Sequence, residues 1–154
     1  MNIGDRLTDN REQADDYRFH DVFHLAFAAV LGWSPVLRAL LRLKRKSDPE
    51  ADENQDGARA IIIEEAIATW IFSHGASRDE FRRADALDYS LLKAVRTLIE
   101  GYEVESRPMW QWQDAILGAF RVFRQLKAER CGIVHIDLDK HSIEFDTEGA
   151  PTNG

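Results

Sequence analysis

Cysteine is nearly absent: Cys131 stands alone in 154 residues. One thiol cannot close an internal disulfide, and a thiolate-built zinc site needs several, so both are excluded and a reducing compartment is expected. Positive charge is also short, with 20 Lys and Arg against 27 Asp and Glu and a net charge of −7. That balance argues against DNA or RNA duplex as a partner, because a phosphate backbone is held by many cations. Long apolar runs are missing too. Charge interrupts every one within about a dozen residues, against the roughly 20 that a membrane-spanning helix needs, and the first residues, MNIGDRLTDN, hold no apolar leader core. No membrane partner is expected, and the expected setting is cytoplasmic. There is no Walker-type Gly-rich loop, no G-x-S-x-G elbow and no H-E-x-x-H pair. What remains is 44% hydrophobic residues in a chain long enough for one core, so one domain is expected over 15–146, with loose ends at 1–14 and 147–154.

The stretch around which the chain is organised is Ala60 to Phe72, AIIIEEAIATWIF. As a helix it is apolar around almost its whole circumference and should lie in the core, yet it carries Glu64 and Glu65 at its middle. A carboxylate inside a protein must be protonated, paired or bound to a metal, so the acid pair calls for a partner.

The pattern predicts an all-α helical bundle of four to five helices with a small C-terminal β-hairpin. A first helix is expected from Tyr17 to Leu31, opening after Asp15 and Asp16 and closing at Gly32. It places Phe19, Val22, Phe23, Ala26 and Val30 on an apolar side and Tyr17, His20, Asp21, His24 and Ala28 on a second stripe. Ser34-Pro35 opens a helix VLRALLRLKRK, with Leu37, Leu40 and Leu41 inward and Arg38, Arg42 and Arg45 at helical spacing. That basic face is either simply solvated or able to reach a polyphosphate, with Lys44 and Lys46 beside it. Residues 47–57 read as an acidic loop. Asp52, Asn54, Asp56 and Gly57 imitate the start of a calcium loop, but its twelfth position is Ile63, where a bidentate Glu is required.

Ser73-His74-Gly75-Ala76 reads as a break, followed by a helical stretch from Ser77 to Gly101 with a possible interruption near Asp88. A last helix from Met109 to Ala128 buries Trp112, Ile116, Ala119, Phe120 and Phe123. The period then changes to two. Ile133, Val134, Ile136 and Leu138, then Ile143 and Phe145, flank a polar turn and read as a hairpin that must pack on helices or on a second subunit. Trp70, Tyr102, Trp110 and Trp112 are core aromatics before they are base-stacking ones. His135 and His141 show no evident partners, and His74 reads as a capping or surface residue.

Asp21 and His24 lie on one face of the first helix, and the helix bearing Glu64 and Glu65 must pack against something apolar such as Phe19, Val22 and Phe23. Facing helices in a bundle can build a divalent-cation site from such groups, Mg²⁺ (or Mn²⁺) being the natural ions. The alternative is a metal-free polar seam in which His20, His24 and Asp21 pair with Glu64, Glu65 or Arg18.

The segments HDVFH (20–24) and EEAIATWIF (64–72) resemble a degenerate form of the E-E-x-x-E and E-E-x-x-D motifs of the MazG-like, all-α nucleoside triphosphate pyrophosphohydrolases. The later segments LIEGYEV, RPMWQWQDAILGAFRVF and CGIVHIDLD resemble a divergent branch of that group, and the resemblance spans most of residues 17–146. It implies metal-dependent cleavage of a nucleoside triphosphate to a monophosphate and pyrophosphate, and assembly into a homo-oligomer, dimer or tetramer. It implies metal ligation by Asp21, His24, Glu64 and Glu65 and catalysis by Glu64 and Glu65, with His20 beside them for substrate binding, while the charge pattern itself offers Arg38, Arg42 and Lys46 as further substrate-binding groups. The departures are Ala68, where the motif ends in Asp, and His20 and His24, where it carries acids. They imply a rearranged shell that could include Asp56, or a non-catalytic nucleotide-binding or protein-interaction module that keeps the fold.

Overall fold

Three signals punctuate the first helical segment of the chain: Asp16 before it, a run of apolar residues within it, and Gly32 after it. The computed structural model describes residues 16–83 and 86–147, without the side chain of Arg83. Of the expected loose ends, all but Thr147 fall outside the described residues.

The segment is helical throughout but not uniform. A 3₁₀ turn (Tyr17–Phe19) leads into α1 (Asp21–Ala26), which widens into a π turn (Phe27–Leu31) and stops at Gly32. Gly32 takes φ 66°, a conformation that glycine enters without steric cost. Asp16 precedes the first turn without capping it. Its buried carboxylate instead pairs with Arg130 and Lys127 at the end of the last helix.

Pro35 begins α2 (Pro35–Leu40), as its fixed φ favours. The helix is shorter than its sequence suggests, because Leu41 caps it and Arg42 turns left-handed at φ 54°. Leu40, expected inward, is therefore largely exposed. The acidic stretch read as a loop is α3 (Pro49–Asp56). Asp48 accepts the Ala51 amide at its start, Pro49 occupies the first position, and Glu50 and Asp52 face the positive end of the helix dipole.

The central helix α4 runs Ala58–Ser77, through the expected break at 73–76. Gly75 is a packing residue rather than a terminator, since a Cβ there would stand 2.7 Å from Cε1 of Phe120 and 3.1 Å from Cε1 of Phe81. The helix buries one face, Ala60, Glu64, Ile67, Ala68, Ile71, Phe72 and Gly75. It is not enclosed all round: Ile62 is 65% exposed and Trp70 37%. Next come α5 (Glu80–Arg83) and α6 (Tyr89–Leu98), the latter capped by Asp88, whose carboxylate accepts the Ser90 amide at 2.8 Å. The interruption near Asp88 is thus present. A 3₁₀ turn (Glu103–Ser106) leads to α7 (Met109–Glu129), the other long helix.

The core lies where α1 and its π turn rest on α7, with α4 and α6 closing the sides. Phe27, Trp33 and Trp112 pack with ring centroids 5.3–6.3 Å apart, and Phe72, Phe81, Phe120 and Phe123 form a second cluster. Each fully buried ring removes enough apolar surface from water to stabilise the fold by about 1.5–3 kcal/mol. The antiparallel hairpin, β1 (Ile133–Asp137) and β2 (Ser142–Asp146), pairs Ile136 with Ile143. It packs on α7 through Ile143, whose methyl lies close above Gly118. The fold is therefore all-α with a C-terminal β-hairpin, as the sequence pattern implies. Among the described residues no helix is long and apolar enough to cross a membrane.

Candidate metal centre

Because α1 and α4 pack against each other, the polar stripe of the first meets the acid pair of the second. Glu64 points straight into the interface and is 0% exposed, and His24 across from it is 2% exposed. His24 Nδ1 lies 2.8 Å from Glu64 Oε1, and the backbone N–H of Val36, in the first turn of α2, donates to Glu64 Oε2 at 2.8 Å. Both oxygens of this buried carboxylate are thereby satisfied, as burial demands.

Glu65, one residue on, turns toward the rim with 43% of its side chain exposed. Its Oε2 stands 2.9 Å from His24 Nε2, off the line of a hydrogen bond, so that Nε2 is buried with no hydrogen-bond partner among the described residues. Its Oε1 is 3.2 Å from His20 Nε2, 3.4 Å from the Thr69 hydroxyl that donates to it and 3.5 Å from the Tyr17 hydroxyl. His20 Nε2 is also 3.5 Å from Oδ1 of Asp21, whose side chain is 58% exposed. The ring of His20 stacks on Tyr17 at 4.3 Å, and its Nδ1 lies 2.9 Å from the Tyr17 carbonyl oxygen.

The electrostatics follow from this geometry. Burial alone would lower the His24 pKa, but Glu64 and Glu65 on either side overcome it and raise it to about 9. Burial pushes the Glu64 carboxyl up, against the opposing pull of His24 and the Val36 amide. Glu65 is held down to about 2, first by His24, against partial burial and with help from His20. A proton on His24 places one positive charge between the two carboxylates.

Five of the eight residues expected at the site thus come together: His20, Asp21, His24, Glu64 and Glu65. Arg38 is committed elsewhere. Its Nε donates to Asp56 at 2.7 Å, and Arg45 grips the same carboxylate through Nε at 2.7 Å and Nη2 at 3.1 Å while also holding Glu103. Asp56, a sequence candidate for the metal shell, is consumed by this clamp between α2 and α3. Arg42 and Lys46 are exposed and make no ion pair among the described residues. Ala68 is fully buried in the core one turn beyond Glu64. Sequence reasoning missed the Val36 amide and Thr69. The latter was detectable, because a residue four positions after Glu65 lies above it on the helix. His74 stands 3.6 Å from Glu80 and His135 3.7 Å from Asp146, both beyond hydrogen-bond reach, while Nδ1 of His141 bonds the Ala29 carbonyl.

A divalent cation fits the donor set. His20, Asp21 and His24 each offer a ligand atom within 4.8 Å of the others, and the orphaned Nε2 of His24 is a buried lone pair, once deprotonated, with nothing to accept from. Two imidazoles suit manganese and its later first-row neighbours better than magnesium, which favours oxygen.

The family model described as the MazG C-terminal domain matches residues 1–149, and the chain belongs to that family. It is thereby related to the nucleotide pyrophosphohydrolases. No curated protein and no solved structure gives a match.

Proposed function

We propose that the domain is a divalent-metal-dependent nucleotide pyrophosphohydrolase that splits a nucleoside triphosphate into a monophosphate and pyrophosphate. One observation carries this reading: His20 and His24, with Asp21 beside them, and the Glu64–Glu65 pair of α4, far apart in sequence, close on one another, His24 at 2.8 and 2.9 Å from the two acids and His20 at 3.2 Å from Glu65. A bound divalent ion would supply positive charge for the phosphate oxygens. The chain's own groups divide the remaining work. Asp21 and Glu65 are the solvent-facing carboxylates, and Glu65 stays ionised, ready to accept a hydrogen bond from an entering water. Glu64 fixes the ring of His24. Arg42 and Lys46, exposed and without an ion pair among the described residues, are the phosphate-binding cations of this reading.

The test is incubation of the pure protein with a panel of nucleoside triphosphates and Mn²⁺ or Mg²⁺. Pyrophosphate release that is lost in Glu65→Gln is expected, and no release with any nucleotide overturns the reading. A second reading, a non-catalytic nucleotide-binding module, is favoured by Ala68, where the family motif has a carboxylate. Under it, calorimetry detects nucleotide binding without turnover.

A further inference from the structure

Away from the metal centre, α7 carries a polar stripe on its other side. Arg121, Arg124, Gln125 and Ala128 recur there at helical spacing where the helix meets the hairpin, whereas Phe120 and Phe123 turn to the core. Together with Phe145 and Asp146 at the end of β2 they line an open cleft. Gly132 makes room for one wall of it, because a Cβ there would collide with the Phe145 ring. Arg121 is anchored, its Nη2 donating to the Ile143 carbonyl at 3.1 Å. Arg124 has no such anchor. Its Nη1 is shut off from water and has no hydrogen-bond partner among the described residues. A guanidinium on a solvated helix face keeps its N–H groups wet, and one that loses water normally gains an acceptor, since an unmade bond to a charged donor is costly. The fold supplies the donor here and leaves the acceptor to something else.

We propose that this cleft is an anion site in which Arg121 and Arg124 together hold a phosphate group. Residues three apart on a helix stand about 5–6 Å apart at Cβ, so the two guanidinium forks can close on one ligand. Together they offer more N–H groups than the paired oxygens of one carboxylate can accept, which favours phosphate. The acids at the cleft do not take that place. Neither Glu129 nor Asp146 forms an ion pair with either arginine among the described residues, and Asp146 has other partners. They balance the charge of the empty cleft, and the net charge of −7 draws no anion to the chain as a whole. An anion therefore binds here through the geometry of the two forks. Free phosphate and the phosphate of a small monoester share this chemistry, the monoester having the Phe145 ring as apolar surface beside it.

The site is independent of the reading of the metal centre, and its test contains neither divalent ion nor triphosphate. The intact protein in chelator is titrated calorimetrically with inorganic phosphate, pyrophosphate and a nucleoside monophosphate, with acetate as the carboxylate probe. One phosphate-bearing ligand per chain is expected, and acetate binds about tenfold more weakly or not at all. Arg124→Met, which keeps the packed stem and removes the fork, weakens phosphate binding about 10- to 100-fold, and Arg121→Gln weakens it about tenfold. Arg96→Gln, which removes an exposed arginine from α6, changes nothing. In thermal melts without phosphate, Arg124→Met is at least as stable as the wild type, because the unmatched donor is gone. Phosphate then raises the Tm of the wild type by a few degrees and leaves that of the variant where it was. A monoester bound more tightly than free phosphate marks the cleft as a site for a phosphorylated small molecule, and one bound equally or less tightly marks it as a site for the free ion. Absence of binding by any of the phosphates at about 10 mM overturns the proposal. So does binding that survives Arg124→Met, acetate bound as tightly as phosphate, or a marked loss of stability in ligand-free Arg124→Met.

Discussion

Replacing His24 by alanine should cost this fold more than any other single change at the centre. The substitution leaves Glu64, with no exposed surface, holding only the Val36 amide as a donor. Removing one partner of a buried ion pair typically costs about 3–5 kcal/mol, because the remaining charge has neither water nor counter-ion. Glu64 has an escape: its carboxyl is already pushed up by burial, and without the imidazolium it takes a proton instead of staying charged. The penalty near neutral pH should therefore fall at the lower end, about 3 kcal/mol, and shrink at pH 5. For a domain of this size that is roughly 10 °C in Tm. Urea unfolding followed by tryptophan fluorescence, with Trp33 and Trp112 as buried reporters, measures it in metal-free buffer. A companion variant carrying His24→Leu and Glu64→Leu should recover most of the loss, since an apolar pair leaves no unpaired group. A His24→Ala penalty below about 1 kcal/mol, or one equal at pH 5 and pH 8, would refute the reasoning.

The metal-free wild type should show the linked pH dependence. His24 is raised above its ordinary 6.5, so its contribution is whole below that pH and is lost as pH rises through about 9. Glu65 is lowered from 4.5, so its contribution is present above that pH and is lost as pH falls toward about 2. Thermal melts in chelator should decline from pH 6.5 to 9, and the decline should vanish in His24→Gln; identical profiles would count against the ion pair. Gly75→Ala should lower Tm, because the added methyl meets two buried rings and overpacking, about 1–3 kcal/mol, outweighs the ~1 kcal/mol gain in helix propensity. An unchanged or higher melting temperature would show that the rings yield. We further propose a homo-oligomer formed through the exposed edge of α4 and α6, where Ile62, Trp70 and Leu98 leave apolar surface uncovered. Light scattering should give a dimer or tetramer that Trp70→Glu dissociates, and a monomeric wild type at micromolar concentration would end that idea.

The parts of this molecule that were legible in advance are those where chemistry conflicts with its surroundings. Two adjacent acids in an apolar stretch announced that Glu64 and Glu65 needed partners, and the spacing of His20, Asp21 and His24 on one stripe supplied them. Periodicity located α7 and the hairpin for the same reason, since one face of each must be dry. What stayed hidden has no period to read. Helix α3 is polar on every side, so in the sequence its proline and capping aspartate read as loop chemistry. Gly75 looks like a stop signal until the rings of Phe81 and Phe120 fill the space above it. Arg38 and Asp56 each appeared available for a ligand, and only the folded chain shows them spent on one another. The Val36 amide carries no side-chain signature at all.

The π turn at Phe27–Leu31 also governs how the two ends of the chain communicate. Widening the coil there presents carbonyl oxygens outward, and distant side chains claim two of them: Gln111 of α7 takes that of Val30, and His141 at the tip of the hairpin takes that of Ala29. At the opposite end of the same segment, Asp16 is tethered to Lys127 and Arg130. The strip that presents His20, Asp21 and His24 is thus riveted at both extremities to the C-terminal third of the protein. Residues as remote as His141 set its alignment, and a chain truncated before Ile133 would keep every group of the centre while losing one of the rivets that hold them in register.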